Sequence, residues 1–296
     1  MRMRVAVTGR EGQVARSLAE LGASRGIEIL PVGRPALDLQ EQAGILPALS
    51  AVKPDVIVST AAYTAVDKAE SERELAFSIN GGGAGAVARA ARSLDVPVLH
   101  LSTDYVFDGG GTRPYREDDP TGPVSAYGAS KLEGERLVAA ATPDHAIFRT
   151  AWVYSPFGAN FVKTMLRLGE SRSEVGVVAD QTGCPTSAHD IADAVLSAAE
   201  KLVADRSPAF RGIFHLTGSG EASWADFAEH VFSVAASSGR PPVTVRRITT
   251  ADYPTPAGRP ANSRLSGKKL ASVYGIRLPD WRSSTEAVVR RLLETH

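Results

Sequence analysis

The sequence predicts an α/β protein, a doubly wound parallel sheet with a smaller α/β lobe attached. Three observations lead there. Over residues 1–150, short apolar runs alternate strictly with longer segments of helical spacing. A glycine-rich turn follows the first apolar run, and past residue 150 the alternation loosens. Strand and helix in strict alternation imply βαβ units, whose sheet is parallel and covered on both faces.

The strand-like runs are residues 5–7, 28–32, 55–59, 96–101 and 146–153. Between them 13–23, 43–52, 70–94 and 125–140 carry helical spacing. In the second half 175–178 and 213–216 read as strands, and 160–170, 189–204, 224–236 and 285–293 as helices. Residues 252–259 are punctuated by two prolines and a glycine and read as an ordered loop.

The 296 residues hold 33 basic and 33 acidic side chains. This zero net charge argues against nucleic acid or a membrane surface as partner, since both reward excess cations. A hydrophobic share of 43% and a charged share of 22% are ordinary for a soluble globular chain that buries its own core. The single cysteine, Cys184, excludes an intramolecular disulfide and suits a reducing compartment. No apolar run approaches the roughly 20 residues that span a bilayer, and the N-terminus enters a strand at once, so a cytoplasmic location is expected.

The first turn reads Thr8-Gly9-Arg10-Glu11-Gly12-Gln13-Val14-Ala15. Gly9 suits the tight turn, Gly12 lets backbone approach a pyrophosphate, and Ala15 is small enough for close helix–strand packing. Amides at the helix start would face the phosphates. This is the dinucleotide turn of a Rossmann-like sheet, with G-x-x-G-x-x-A spacing. The end of the second strand selects the cofactor. Pro31-Val32-Gly33-Arg34 lacks the carboxylate that holds an adenosine ribose in NAD enzymes. Arg34 would pair with a 2′-phosphate or else is a solvated loop arginine; Asp38-Leu39 suits an adenine contact or is plain loop. NADPH is the expected cofactor, with NADH possible. Residues 1–150 then form an NADP(H)-binding domain, with 173–180 and 211–218 returning to its sheet, and 151–296 mainly a substrate-binding lobe.

Tyr127 and Lys131 lie four apart behind Ser125, a helix cap, and so share one helical face. An ammonium beside a phenol lowers the phenol's pKa and poises it for proton transfer to an alkoxide formed by hydride addition. Thr103 ends the fourth strand, where it would reach the substrate carbonyl beside Tyr127. The glycine turn, strand-end Thr103 and Tyr127/Lys131 occur in the order that a reductase site requires. His100 and His215 lie inside strands and read as structural groups.

These motifs resemble those of the extended short-chain dehydrogenase/reductase superfamily. Gly12-Gln13-Val14, Ala61-Ala62-Tyr63-Thr64-Ala65-Val66-Asp67-Lys68, Ser102-Thr103-Asp104-Tyr105-Val106-Phe107, Arg149-Thr150-Ala151-Trp152 and Arg259-Pro260-Ala261-Asn262-Ser263 are similar to the dTDP-4-dehydrorhamnose reductase family across nearly the whole chain. The resemblance implies an enzyme that reduces the C4 keto group of dTDP-4-dehydro-L-rhamnose with NADPH. It implies cofactor contacts at Gly12, Gln13, Val14, Asp38, Leu39, Ala61, Ala62 and Tyr63. Tyr127 would be the proton donor, Lys131 the cofactor anchor, and Thr103 and Asp104 sugar contacts. Trp152 would pack on the substrate, or be a core tryptophan, and Arg259 and Asn262 would meet the pyrophosphate or nucleoside. Some relatives dimerise through glutamates around magnesium; Ser17 and His189 stand at those positions here, so no metal-bridged dimer is expected, and a monomer or a homodimer stays open. Two alternatives share the motifs: a nucleotide-sugar epimerase or dehydratase, and a non-catalytic NADP-binding regulatory subunit. Against the first, Asp104 is followed by Tyr105 rather than a second carboxylate.

Overall fold

The computed structural model describes residues 2–294. The first half contributes β1 (Arg4–Thr8), β2 (Glu28–Val32), β3 (Val56–Ser59), β4 (Val98–Thr103) and β5 (His145–Thr150). Between them run α1 (Gln13–Ser24), α2 (Ile45–Ala51), α3 (Arg73–Phe77), α4 (Ala84–Ser93) and α5 (Ala126–Ala141). Beyond β5 follow β6 (Val153–Tyr154), α6 (Phe161–Gly169), β7 (Glu174–Val178), β8 (Thr182–Gly183), β9 (Thr186–Ser187) and α7 (Ala188–Ala204). The chain ends with β10 (Gly212–His215), β11 (Ala222–Ser223), α8 (Trp224–Ser237), β12 (Thr244–Ile248), α9 (Lys268–Tyr274) and α10 (Trp281–Glu294).

Six strands pair in the order β10-β5-β4-β3-β1-β2, every pair parallel. The order reverses between β1 and β3, the point at which a doubly wound sheet opens a ligand crevice beyond its carboxyl ends. Strand alternation sends Val5 and Val7 to one face and Ala6 to the other. On the first face Leu18 of α1, Ile191 and Val195 of α7 and Leu270 of α9 cover Val58 and Phe148. On the second, Ile45 and Leu49 of α2, Val87 of α4 and Val138 of α5 cover Ile57 and Ile147. A separate apolar core gathers α6, α8, α10 and β7 around Tyr154, Phe227 and Trp281. No helix among the described residues is long and apolar enough to cross a membrane.

Two expectations are corrected. Residues 211–218 do return to the central sheet, as β10 beside β5, but 173–180 do not. β7 pairs with β12 in a two-stranded sheet of its own. Its residues alternate exposed and buried, so it has a single apolar face, whereas a central strand needs two. The run 146–153 breaks after Thr150 because Trp152 adopts φ +49°, a region that L residues rarely occupy; Val153–Tyr154 then pairs with β9. The run 70–94 is helical without a gap from Arg73 to Ser93, with a six-residue π-turn, Ser78–Gly83, joining α3 to α4. β12, Thr-Val-Arg-Arg-Ile, is a largely exposed edge strand whose polar residues hide it from periodicity.

Candidate active site

The crevice begins where β1 and β3 end. The Thr8 hydroxyl accepts from the amides of Thr60 (3.0 Å) and Ala61 (3.1 Å), while Thr60 Oγ1 donates to Thr8 O at 2.6 Å. Gly9 turns the chain at φ +91°, its amide donating to Val32 O at 2.8 Å. Gly12 is the N-cap of α1, without a side-chain cap and with no acidic residue in the first turn. A Cβ on Gly12 would meet nothing within 4 Å. Uncapped amides at a positive helix end, open to approach and free of competing carboxylates, fit a dinucleotide pyrophosphate. The side chains of Gln13 and Val14 face elsewhere. Gln13 Oε1 accepts from Ser155 Oγ (2.8 Å) and Asn160 Nδ2 (3.1 Å), and Val14 is buried in the sheet core. Their backbone amides are what the loop offers.

Arg34 stands exposed beyond β2, its Nε 2.8 Å from Asp38 Oδ2. Asp38 also accepts from the Gln40 amide, and these bonds hold its carboxyl below the usual range. Leu39 is buried against Gly83, where a Cβ would come within 2.7 Å of its own. Ala61, Ala62 and Tyr63 leave β3 along the crevice. Asn80 Oδ1 accepts from Tyr63 N (2.8 Å) and Asn80 Nδ2 donates to Tyr63 O (3.0 Å), which fixes that segment.

The catalytic corner lies between β4 and α5. Thr103 Oγ1 accepts from the Tyr105 amide at 3.3 Å and donates to Asp104 Oδ1 at 2.9 Å. Tyr127 lies close to the Thr103 hydroxyl, which acts to lower the phenol's pKa. Tyr127 sits in the first turn of α5, which Ser125 caps by accepting from Gly128 N at 3.1 Å. Two glycines let α5 approach other backbone: a Cβ on Gly128 would lie 2.1 Å from Tyr105 O, and one on Gly134 2.2 Å from Asn80 O. Lys131, one turn on, is buried and donates to Leu101 O at 2.6 Å.

Burial pushes the Tyr127 phenol up to about 12, and the Asp104 carboxylate adds to that rise. The expected lowering by Lys131 is therefore corrected. The ammonium is turned to the β4 backbone, and desolvation with a nearby carboxylate outweighs it. Burial also brings Lys131 down to about 8 and Asp104 up to about 6. At neutral pH the corner thus holds a protonated phenol beside a charged ammonium, a proton donor rather than a base. Asp104 Oδ2 is buried without a partner, an acceptor left open at the site.

The second lobe supplies the opposite wall. Trp152 stacks on Trp224 with ring centroids 3.5 Å apart and planes 9° from parallel. It also lies over Gly183, where a Cβ would be 2.4 Å from the indole. Arg259 Nη2 pairs with Asp67 Oδ2 at 2.8 Å, so the proline-punctuated loop is fastened to the segment after β3. Both ends of the buried Asn262 amide are engaged: Nδ2 donates to Arg113 O (2.9 Å) and Oδ1 accepts from Arg264 Nε (2.8 Å). Asn262 braces the chain here rather than presenting a free group. Ser17 donates to Gln13 O at 2.9 Å, and no group of His, Cys, Asp or Glu among the described residues could hold a metal ion.

Sequence reasoning missed Asn80 and the roles of His100, Asp67 and Ser263, the last of which acts to lower the Asp104 pKa. Asn80 could have been found as the polar residue in an Ala/Gly-rich helical run. The others become visible only when separate segments meet.

Residues 3–294 match the family model described as RmlD substrate binding domain. A dTDP-4-dehydrorhamnose reductase from Sinorhizobium fredii is 55% identical over 98% of each chain. One from Escherichia coli is 40% identical over 99% of each. The crystal structure of dTDP-4-dehydrorhamnose reductase from Bacillus anthracis in complex with NADP superposes with a TM-score of 0.91 at 34% identity, covering 98% of this chain and 100% of that one. The chain belongs to the dTDP-4-dehydrorhamnose reductase family.

Proposed function

We propose that this chain reduces the C4 keto group of dTDP-4-dehydro-L-rhamnose to dTDP-L-rhamnose with NADPH, a step of dTDP-rhamnose biosynthesis. It is an NAD(P)H-dependent oxidoreductase of the short-chain dehydrogenase/reductase type. The observation that carries the reading is the grouping at the sheet's carboxyl edge of Thr103, at the end of β4, and Tyr127, in the first turn of α5, with Lys131 one turn away on the same helix and held to the β4 backbone.

When bound, NADPH supplies the hydride. Tyr127 gives its proton to the developing C4 alkoxide, and a high pKa keeps it loaded at neutral pH. Thr103 turns its one hydroxyl proton from Asp104 to the same oxygen. Lys131 anchors the nicotinamide ribose and offsets negative charge left on the phenolate. The open Asp104 Oδ2 accepts from a sugar hydroxyl, which orients the ring. Trp152 forms the sugar's apolar wall. Arg259 exchanges part of its pairing with Asp67 for the substrate's diphosphate, which a guanidinium suits. Gly9, Gly12, Gln13 and Val14 hold the cofactor pyrophosphate, Arg34 its 2′-phosphate, and Asp38, Leu39, Ala61, Ala62 and Tyr63 its adenosine and ribose side.

In this reading residues 1–150 form the cofactor half and 151–296 mainly the substrate lobe, a division supported by the lobe's separate apolar core. The reaction runs in the cytoplasm, the partner is a dTDP-sugar, and the chain acts as a monomer or a homodimer. The test supplies dTDP-4-dehydro-L-rhamnose to the purified protein and follows NADPH absorbance. Stoichiometric NADPH loss with formation of dTDP-L-rhamnose is expected; sugar turnover with no net NADPH loss would replace the reading with an epimerase.

A further inference from the structure

Lys131 is buried at 3% exposure, and the anchoring role leaves open what aims it. An ammonium carries three N–H donors. Leu101 O takes one at 2.6 Å. His100 Nε2 lies 3.4 Å from the same nitrogen, on the buried face of β4. On the ring's far side His100 Nδ1 is 3.1 Å from Ser59 Oγ, its register partner on β3. His100 and Ser59 are 1% and 2% exposed. A ring nitrogen can receive an ammonium proton only if it bears none itself, so the imidazole must be neutral with its hydrogen on Nδ1, directed at Ser59.

We propose that His100 is a positioning residue: held in place by Ser59 and fixed as the Nδ1–H tautomer by the ammonium, it accepts from Lys131 at Nε2 and leaves the third ammonium donor for the nicotinamide ribose. The inference rests on the reductase reading above. Three fixed directions remain for a side chain that otherwise turns about four bonds. The surroundings keep the charges in place. Burial, the Lys131 charge and His145 all hold His100 well below its usual pKa. Glu135 supports the ammonium from α5 while itself paired with Arg149 through bonds of 2.9 and 2.7 Å. Because Ser59 is buried from bulk solvent at 2% exposure, the pair orients Lys131 rather than conducting protons.

The first test needs no turnover. Nitrogen-15 shifts of the histidines in the cofactor-free protein should show His100 as the neutral Nδ1–H form across pH 5–8, against the usual preference of free imidazole. An Nε2–H ring, or titration in that range, would overturn the proposal. The second test compares His100→Leu with His100→Gln. The leucine variant should lose about tenfold or more in kcat, as misplacement near the reacting atoms does. It should bind NADPH more weakly in a fluorescence titration, and its alkaline limb should move about one pH unit lower, since an ammonium short of an acceptor loses its proton more easily. Glutamine, whose carbonyl restores an acceptor, should recover the limb. Unchanged limb and NADPH affinity in the leucine variant would sink the idea. If that variant fails to fold, Ser59→Ala replaces it, with the same displacements expected at smaller size and unchanged values again decisive. A wild-type protein that turns over no dTDP-keto-sugar would remove the reductase reading while leaving the tautomer result to stand.

Discussion

The two ends of the crevice are built from different materials. At β1–α1 the site is backbone: Gly9 at positive φ, an uncapped helix start, and side chains of Gln13 and Val14 turned away. At β4–α5 it is side chain: Thr103 is bonded to Asp104, Lys131 to the strand's Leu101 carbonyl, and Tyr127 is packed against Tyr105. The ligand chemistry explains the contrast. A diphosphate spreads charge over many oxygens and is met by several solvent-facing amides at low cost. A proton must reach one oxygen, so one hydroxyl has to be fixed, and fixing it means burial. Burial then raises the Tyr127 and Asp104 pKa values and lowers that of Lys131. The catalytic corner is electrostatically expensive; the phosphate turn is not.

If the contrast holds, damage at the corner should appear in kcat and damage at the turn in cofactor affinity. Tyr127→Phe keeps the ring and its edge contact with Tyr105 but removes the donated proton. Its kcat should fall about 100-fold or more, with the NADPH dissociation constant little changed. Steady-state kinetics and fluorescence titration check the two halves, and near wild-type turnover would withdraw the proton-donor role. Gly128→Ala comes next. A methyl 2.1 Å from Tyr105 O must push α5 off the 104–106 turn, which should cost about 2 kcal/mol of stability by overpacking. Thermal unfolding measures it. Gly12→Ala, which meets nothing within 4 Å, is the control and should leave Tm nearly unmoved.

The same contrast decides what was legible in the sequence. The turn at Gly9 and Gly12 could be read because a local backbone need leaves a local pattern: two glycines at fixed spacing between strand and helix. The alternating strands and helices of the sheet were legible for the same reason. The state of Tyr127 was not. Its pKa depends on Asp104 across the β4–α5 gap and on the direction taken by Lys131, and neither is written in the i, i+4 spacing. β7 misled because two valine-rich strands look alike in sequence, whether both faces are covered or only one. Asn262 matched a family motif, yet its amide is spent on Arg113 and Arg264.

Asp104 gives the corner a pH signature. Its folded pKa, about 6, lies above the ordinary carboxylate value because burial outweighs the lowering by the Ser263 and Thr103 hydroxyls. Between about pH 4 and 6 the folded state therefore binds more protons than the unfolded chain, and the contribution falls as pH rises. Wild type should lose on the order of 1–2 kcal/mol from this group over that range. Asp104→Asn cannot titrate and should show a flatter profile, measured by chemical denaturation at each pH. It should also bind the sugar nucleotide less well, because Oδ2 is exchanged for an amide. Parallel wild-type and variant profiles would mean that the carboxyl is not held out of water.

The smallest expected effect lies at the exposed end. Arg34 is paired with Asp38 and is 66% exposed as a side chain, so its pairing with a 2′-phosphate would be partly screened by solvent and salt. Arg34→Ala should raise the Michaelis constant for NADPH about fivefold, roughly 1 kcal/mol. Because NADH lacks that phosphate, its constant should not move. Asp38→Asn separates the arginine's charge from its placement. Loss of the charge loosens the guanidinium, while the asparagine oxygen can still accept from the Gln40 amide and keep the loop's shape. A gain in NADPH affinity would mean that Asp38 competes with the phosphate, and a loss that it positions Arg34. Raising the ionic strength should shrink the arginine's contribution while leaving the Tyr127→Phe defect intact, since only the first interaction faces bulk water. An Arg34→Ala variant that weakens both dinucleotides equally would move the arginine from selecting the phosphate to shaping the loop.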